Sequence, residues 1–266
     1  MTELKWGIFA SCINEEKLIE AKLDWALERD FAVSIVEGHH PHYKNVNESG
    51  LSVDKTTEIL ESYADRINYQ PLGKVDWQGI LRDKAYKGLP EDCDVVIMSD
   101  IDEFVLDTDI EMLDSLYRHR KNLVLTLLNS YIFLDNEYCA PHIQRNEGMV
   151  QYGLDLNINL GQYHERIFRY NKFHGYKRSP FLVNDIFGRF ILSNSAYFND
   201  RLLFDDRYIL HYKNFKIDEA KARHKMYKER GDKTDYGKEW EELDKIKFKY
   251  EGEHPSQIMK LLQIKK

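Results

Sequence analysis

Three acids within four residues follow a β-branched apolar run near the middle of the chain. Val95-Val96-Ile97-Met98 reads as a short strand buried on both faces, and Ser99-Asp100-Ile101-Asp102-Glu103 comes directly after it. In an extended chain, residues two apart point to the same side, about 7 Å from each other. Asp100 and Asp102 are therefore expected to lean together into the space beyond the strand's carboxyl end, where open α/β sheets bind their ligands. Carboxylates that close repel each other unless a cation lies beside them. The cation that suits them is a hard, oxygen-preferring divalent metal, Mg²⁺ or Mn²⁺, shared with phosphate oxygens. The same residues also read as an acidic turn feeding the next helix, so the neighbouring elements must decide.

Those elements alternate. Residues 6–13 (WGIFASCI) read as a strand, with Asn14 as N-cap and Glu15 and Glu16 at the positive end of the helix that follows. Leu18, Ile19, Leu23, Trp25, Ala26 and Leu27 give that helix an apolar stripe. Residues 31–36 (FAVSIV) form a second strand and complete a right-handed βαβ unit. A polar loop over 38–52 carries His39, His40 and His42, which lack a fourth ligand at zinc spacing and read as pocket lining. A helix over 53–64, a strand over 66–72 and a helix over 76–86 lead to the central strand. Beyond the acids, Thr108 to Glu111 is a capping-box sequence for a helix to about 121, and 122–134 is a long apolar strand. The class is α/β, with a mostly parallel, doubly wound sheet. From 136 to 214 the chain has aromatic, short-strand character, and from 219 to about 250 it is charged and helical. The expected organisation is one domain over 1–214, with halves 1–135 and 136–214, and a charged helical extension over 215–266.

Bulk composition excludes some classes of function. With 42% apolar and 13% aromatic residues, the chain can bury a full core and is not disordered in character. Its net charge of −7 is spread along the sequence, which argues against nucleic acid as a partner. It leaves a nucleotide open, since a metal can neutralise phosphates. Cys12, Cys93 and Cys139 are far apart and odd in number, so a reducing compartment is expected rather than a disulfide framework. The first apolar stretch spans about six residues, too short for a signal core or membrane span. The expectation is a soluble, cytoplasmic protein; oligomeric state is not readable.

VVIMSDIDEF resembles the Asp-x-Asp motif of GT-A glycosyltransferases, and SDIDEF resembles the form found in the bisecting β-1,4-N-acetylglucosaminyltransferase family. The resemblance implies a GT-A-like fold and a bound metal–nucleotide-sugar complex. Under it, Asp102 binds the metal directly, and Asp100 takes the ribose or a metal-bound water within the same metal site. Glu37, at the end of the second strand, reads the nucleoside. His211, in YILHYKNF, completes the metal shell, where a neutral imidazole favours Mn²⁺ over Mg²⁺. Lys213 neutralises the leaving diphosphate. Trp77 and Arg82 partly match the helix that precedes the metal strand in that family, and Arg82 can offer a donor fork to a diphosphate. ERIFRY, within 163–173, resembles an acceptor-side stretch of family-two-like transferases, although Glu165, Arg166 and Arg169 also read as salt-bridged residues on a strand face.

The activity expected is transfer of a hexose or N-acetylhexosamine from a nucleotide-diphosphate sugar, a UDP-sugar first among donors, to a sugar or glycan acceptor. Inversion is expected from the resemblance and needs a carboxylate to take the acceptor proton, for which Glu165 and Asp185 are the candidates. Two rivals stay open. A sugar-phosphate nucleotidyltransferase would carry a Gly-rich phosphate loop after the first strand, and ASCINEE (10–16) has none. A glycan-binding or assembly protein on a GT-A scaffold would need neither Asp100 nor Asp102.

Overall fold

Strands covered on both faces have no polar side to present, and the centre of this sheet follows that rule. β1 (Trp6–Cys12) and β2 (Ala32–His39) are buried along most of their length. β3 (Asn68–Lys74), at the edge, is largely exposed, whereas β4 (Val95–Met98) is buried throughout. β1 pairs in parallel with both β2 and β4, and β3 pairs in parallel with β2. Alternation then sends side chains to two cores. Ile8, Ala10, Val95 and Ile97 join the larger core beneath α1 (Ile19–Leu27). Phe9, Val96 and Met98 join a second core with Leu81, Ala85 and Tyr86 of a helix on the opposite face. Fully burying one such side chain contributes about 1.5–3 kcal/mol. α2 (Thr56–Ser62) lies between β2 and β3 in sequence, and the second-core helix is α3 (Gln78–Lys87). This computed structural model describes residues 3–39, 45–76, 78–120, 125–141, 163–170, 201–213 and 244–262, with the backbone alone at 125, 127–129, 141, 163–165 and 201–208.

The remaining elements are β5 (Glu103–Val105), α4 (Asp107–His119), β6 (Leu125–Phe133), β7 (Tyr138–Pro141), β8 (Tyr163–Arg169), β9 (Arg201–His211), β10 (Phe248–Lys249) and α5 (Ser256–Leu262). The sheet order is β10-β7-β6-β8-β4-β1-β2-β3. β9 pairs in parallel with β6, and β5 pairs antiparallel with β9. The fold is the expected α/β class, a mixed sheet flanked by helices, with an acidic motif at the carboxyl end of β4. One detail differs from the sequence reading. β6 runs in the direction of β4 but not beside it, because β8 is inserted antiparallel to both. Ile167 of β8 fills the larger core and Phe168 the second, so this strand closes both apolar faces at once.

Several local expectations are also corrected. Asn14 is not a helix cap: it has a positive φ of 54°, and α1 begins only at Ile19. Its side chain ties a loop instead, accepting from the Val53 N–H (2.9 Å) and donating to the Asn45 carbonyl (2.8 Å). α4 begins at Asp107 without a side-chain cap, so the Thr108 box does not form. Residues 248–249, expected to be helical, pair with β7 as a strand. α5 then docks on the main body, with Ile258 fully buried in the larger core and Gln257 donating to Glu28. Among the described residues, no helix is long and apolar enough to cross a membrane.

Candidate active site

β4 delivers the chain to the sheet's carboxyl edge, and a turn ends it there. The Asp100 carbonyl accepts from the Glu103 N–H at 3.1 Å, and Ile101 is buried in the larger core. The acids are therefore not on one side of an extended strand, as their spacing predicted. The turn sends Asp100 and Asp102 to different partners.

Asp102 meets His211 because β5 pairs with β9. Glu103 stands opposite His211 in that ladder, and the Tyr212 N–H donates to the Asp102 carbonyl at 2.8 Å. His211 Nε2 then lies 3.0 Å from Asp102 Oδ2, with both side chains largely buried. Burial pushes the Asp102 carboxyl upward. The neighbouring His211 and its hydrogen bond, with Lys213 beyond, outweigh that and hold it below the usual carboxylate range. The buried Nδ1 of His211 has no hydrogen-bond partner among the described residues and sits 3.9 Å from Glu103 Oε1.

Asp100 turns the other way. Arg82 of α3 donates from Nη2 to Asp100 Oδ1 at 2.7 Å, and Arg166 of β8 reaches Asp100 Oδ2 with Nη2 at 3.5 Å. Arg166 also grips Glu103 in a two-point fork, Nε to Oε2 at 2.9 Å and Nη2 to Oε1 at 2.8 Å. From beneath, Lys22 of α1 donates to Ser99 Oγ at 2.7 Å and to the Glu103 carbonyl. Its ammonium also lies 4.6 Å from the ring centroids of both Trp25 and Phe104. Burial lowers the Lys22 pKa to about 7, although Glu103, Asp102 and Asp100 pull it upward. The acidic turn is thus held from α1, α3, β8 and β9 together.

A carboxylate oxygen and an imidazole nitrogen meeting at 3.0 Å form a donor pair that fits Mn²⁺. Among the described residues, no group of three or more His, Cys, Asp or Glu side chains is arranged to hold a metal ion. The pair fits a metal that takes its remaining ligands from phosphate oxygens and water.

No protein-family model matches the chain, and no curated protein does. Solved structures to which the chain is similar include a crystal structure of S. aureus TarS 1-349, at 15% identity and TM-score 0.45 over 84% of this chain. The chain spans 64% of that structure. The mannosyltransferase PcManGT from Pyrobaculum calidifontis, in complex with GDP-Man and Mn²⁺, is similar at 11% identity and TM-score 0.43, over 99% of this chain and 69% of the other. The 4-diphosphocytidyl-2C-methyl-D-erythritolsynthase from Anaerococcus prevotii DSM 20548 is similar at 14% identity and TM-score 0.38, over 80% and 91%. At such TM-scores the functional reading rests on this chain's own side chains.

The other expected residues are dispersed. Glu37 is fully buried, and its carboxylate accepts from the Ser52 N–H (2.8 Å), the Thr57 hydroxyl (2.8 Å) and the Tyr69 hydroxyl. A nucleoside would have to compete with these donors for it. Lys213 is half-buried beside the Asp102–His211 pair. His39 is buried, with Nδ1 2.8 Å from the Gly50 carbonyl oxygen. Glu165 lies in β8 next to Arg166, but its side chain, like Asp185, His40, His42 and Trp77, is outside the described residues. Arg166 is a buried partner of the acids rather than a residue of an exposed strand face. Lys22 was missed altogether. A lysine inside the apolar stripe of IEAKLDWAL was the signal for it.

Proposed function

We propose that the chain is a metal-dependent glycosyltransferase that moves a hexose or N-acetylhexosamine from a nucleotide-diphosphate sugar to a sugar or glycan acceptor, with inversion. The observation that carries this reading is the Asp102–His211 pair, 3.0 Å apart at the carboxyl edge of the parallel half, with Asp100 and Arg82 alongside. Asp102 and His211 would hold Mn²⁺ or Mg²⁺, with Asp100 contributing through a ribose or water contact. The bound metal would offset charge developing on the leaving diphosphate. Arg82 beside Asp100 and Lys213 near Asp102 would add positive charge to the site. Glu37 would read the nucleoside, although its carboxylate also anchors Ser52 and Thr57. In the transfer, the acceptor oxygen bonds to the anomeric carbon as the bond to the diphosphate oxygen breaks. The acceptor proton passes to a carboxylate, for which Glu165 and Asp185 are the proposed bases.

Thermal unfolding with UDP, GDP, CMP and dTDP, each with and without Mn²⁺, tests this. A nucleotide at about 100 times its dissociation constant adds roughly 2.7 kcal/mol of stability. The expected outcome is a metal-dependent upward shift with one base, UDP first, that is lost in Asp102→Asn. A chain that binds glycan but shifts with none of the nucleotides is instead a glycan-binding protein on this scaffold.

A further inference from the structure

Two buried guanidinium groups converge on one partly exposed carboxylate. Arg82 and Arg166 are 8% and 6% exposed as residues, whereas the Asp100 side chain is 35% exposed. Each Asp100 oxygen is taken by a different arginine, Oδ1 by Arg82 and Oδ2 by Arg166. Arg166 is matched independently by its fork to Glu103, which is itself 2% exposed and pinned by the Asp100 N–H. Among the described residues, Asp100 is the acid paired with Arg82. Buried cations around a partly exposed anion make an oxyanion place filled by the protein's own side chain. Guanidinium forks donate to carboxylate and phosphate oxygens alike.

We infer that Asp100 is a surrogate for a phosphoryl group of the diphosphate, held between Arg82 and Arg166 and exchanged for it when a divalent cation draws Asp100 toward Asp102. This rests on the metal reading of the site. Its physical basis is charge balance. A buried guanidinium that loses its only anion is strongly unfavourable until another anion replaces it. While Asp100 stays in place, it competes with free diphosphate from within the chain. A cation that engages Asp100 removes the competitor and leaves Arg82 unmatched, so cation and diphosphate bind as a linked pair. That coupling is reciprocal by necessity.

Calorimetric titration with inorganic diphosphate in EDTA separates this from the glycosyltransferase reading, because no metal, nucleotide or turnover enters. Asp100→Asn is expected to bind metal-free diphosphate at least about tenfold tighter than the wild type. The double variant Asp100→Asn with Arg82→Met is expected to lose that gain. Equal affinity in Asp100→Asn and wild type, or a gain that survives in the double variant, overturns the inference. A second measurement carries the opposite sign. Arg82→Met removes the shorter of the two arginine contacts on Asp100, so Mn²⁺ should bind about threefold to tenfold tighter than in the wild type, read from the free-Mn²⁺ resonance. Unchanged or weaker Mn²⁺ binding in Arg82→Met also overturns it. Failure of every nucleotide to shift the melting temperature would sink the transferase reading while leaving the diphosphate result to stand or fall alone.

Discussion

Lys22 places an ammonium against the underside of the acidic turn, where it is 2% exposed and bonded to Ser99 Oγ and the Glu103 carbonyl. Both partners accept equally from a neutral amine, and burial lowers the pKa from 10.5 to about 7. Between those values the unfolded chain binds more protons than the folded one, so this group makes stability rise with pH from about 7 to about 10. Below pH 7 its cost is full and constant. Lys22→Met should abolish that rise, and urea unfolding of both proteins at pH 7 and pH 9 measures it. A wild-type stability that stayed level across the window relative to Lys22→Met would show that the ammonium stays charged. Asp102 works in the other direction. Its depressed carboxyl contributes stability above its unfolded pKa that is lost as pH falls through the folded value, so Asp102→Asn should flatten the acid limb.

At the scale of elements, short pieces of backbone place distant side chains. β5 has three residues, yet its pairing with β9 sets His211 beside Asp102, 109 residues away in sequence. Residues 45–57 are drawn onto the sheet by the Glu37 carboxylate, by Asn14 and by the close approach of Ser49 to Gly73, while Gly38 lies against the Gly73 backbone. A Cβ on Gly38 would sit 2.3 Å from the Gly73 carbonyl oxygen, and Gly73 itself has φ +69° with Ser49 O 2.4 Å from a built Cβ. Gly38→Ala should therefore destabilise the fold by about 1–3 kcal/mol or more, since backbone rather than a side chain must move. Glu37→Gln replaces an acceptor oxygen facing buried donors with an amide donor and should cost about 1–3 kcal/mol, seen as a lower melting temperature. An unchanged melting temperature in Glu37→Gln would free that carboxylate for a ligand role.

At the scale of the molecule, one large core runs from β1 through α4 to Ile258 of α5, and a smaller one lies under α3. The three thiols report on both. Cys12 and Cys139 belong to the larger core and Cys93 to the smaller, and all three are buried outside any disulfide. Burial pushes the Cys93 thiol up to about 11 and Cys139 up to about 12. Thiol labelling at pH 8 should thus be slow for both, and should accelerate in denaturant together with the loss of helical signal. Labelling of Cys93 well ahead of Cys139 would mean that the α3 side opens on its own.

Much of the parallel half was legible in the residues alone. Unbroken apolar runs such as VVIM can be satisfied only inside a sheet covered on both faces, and the α1 stripe has the helical period, so strand, helix and acidic motif followed from local chemistry. The metal-ligand candidates were named from residue type, but the relation between them was not. Whether Asp100 and Asp102 look the same way depends on a turn closed by one backbone hydrogen bond, and whether His211 reaches Asp102 depends on the register of β5 against β9. Arg166 and Lys22 acquired their partners only when β8 was inserted beside β4 and α1 packed beneath the turn. Local periodicity records which face of an element is apolar. It carries no information about which charged side chain another element brings to that face, because that pairing is decided by the free energy of matching buried charges after the chain has folded.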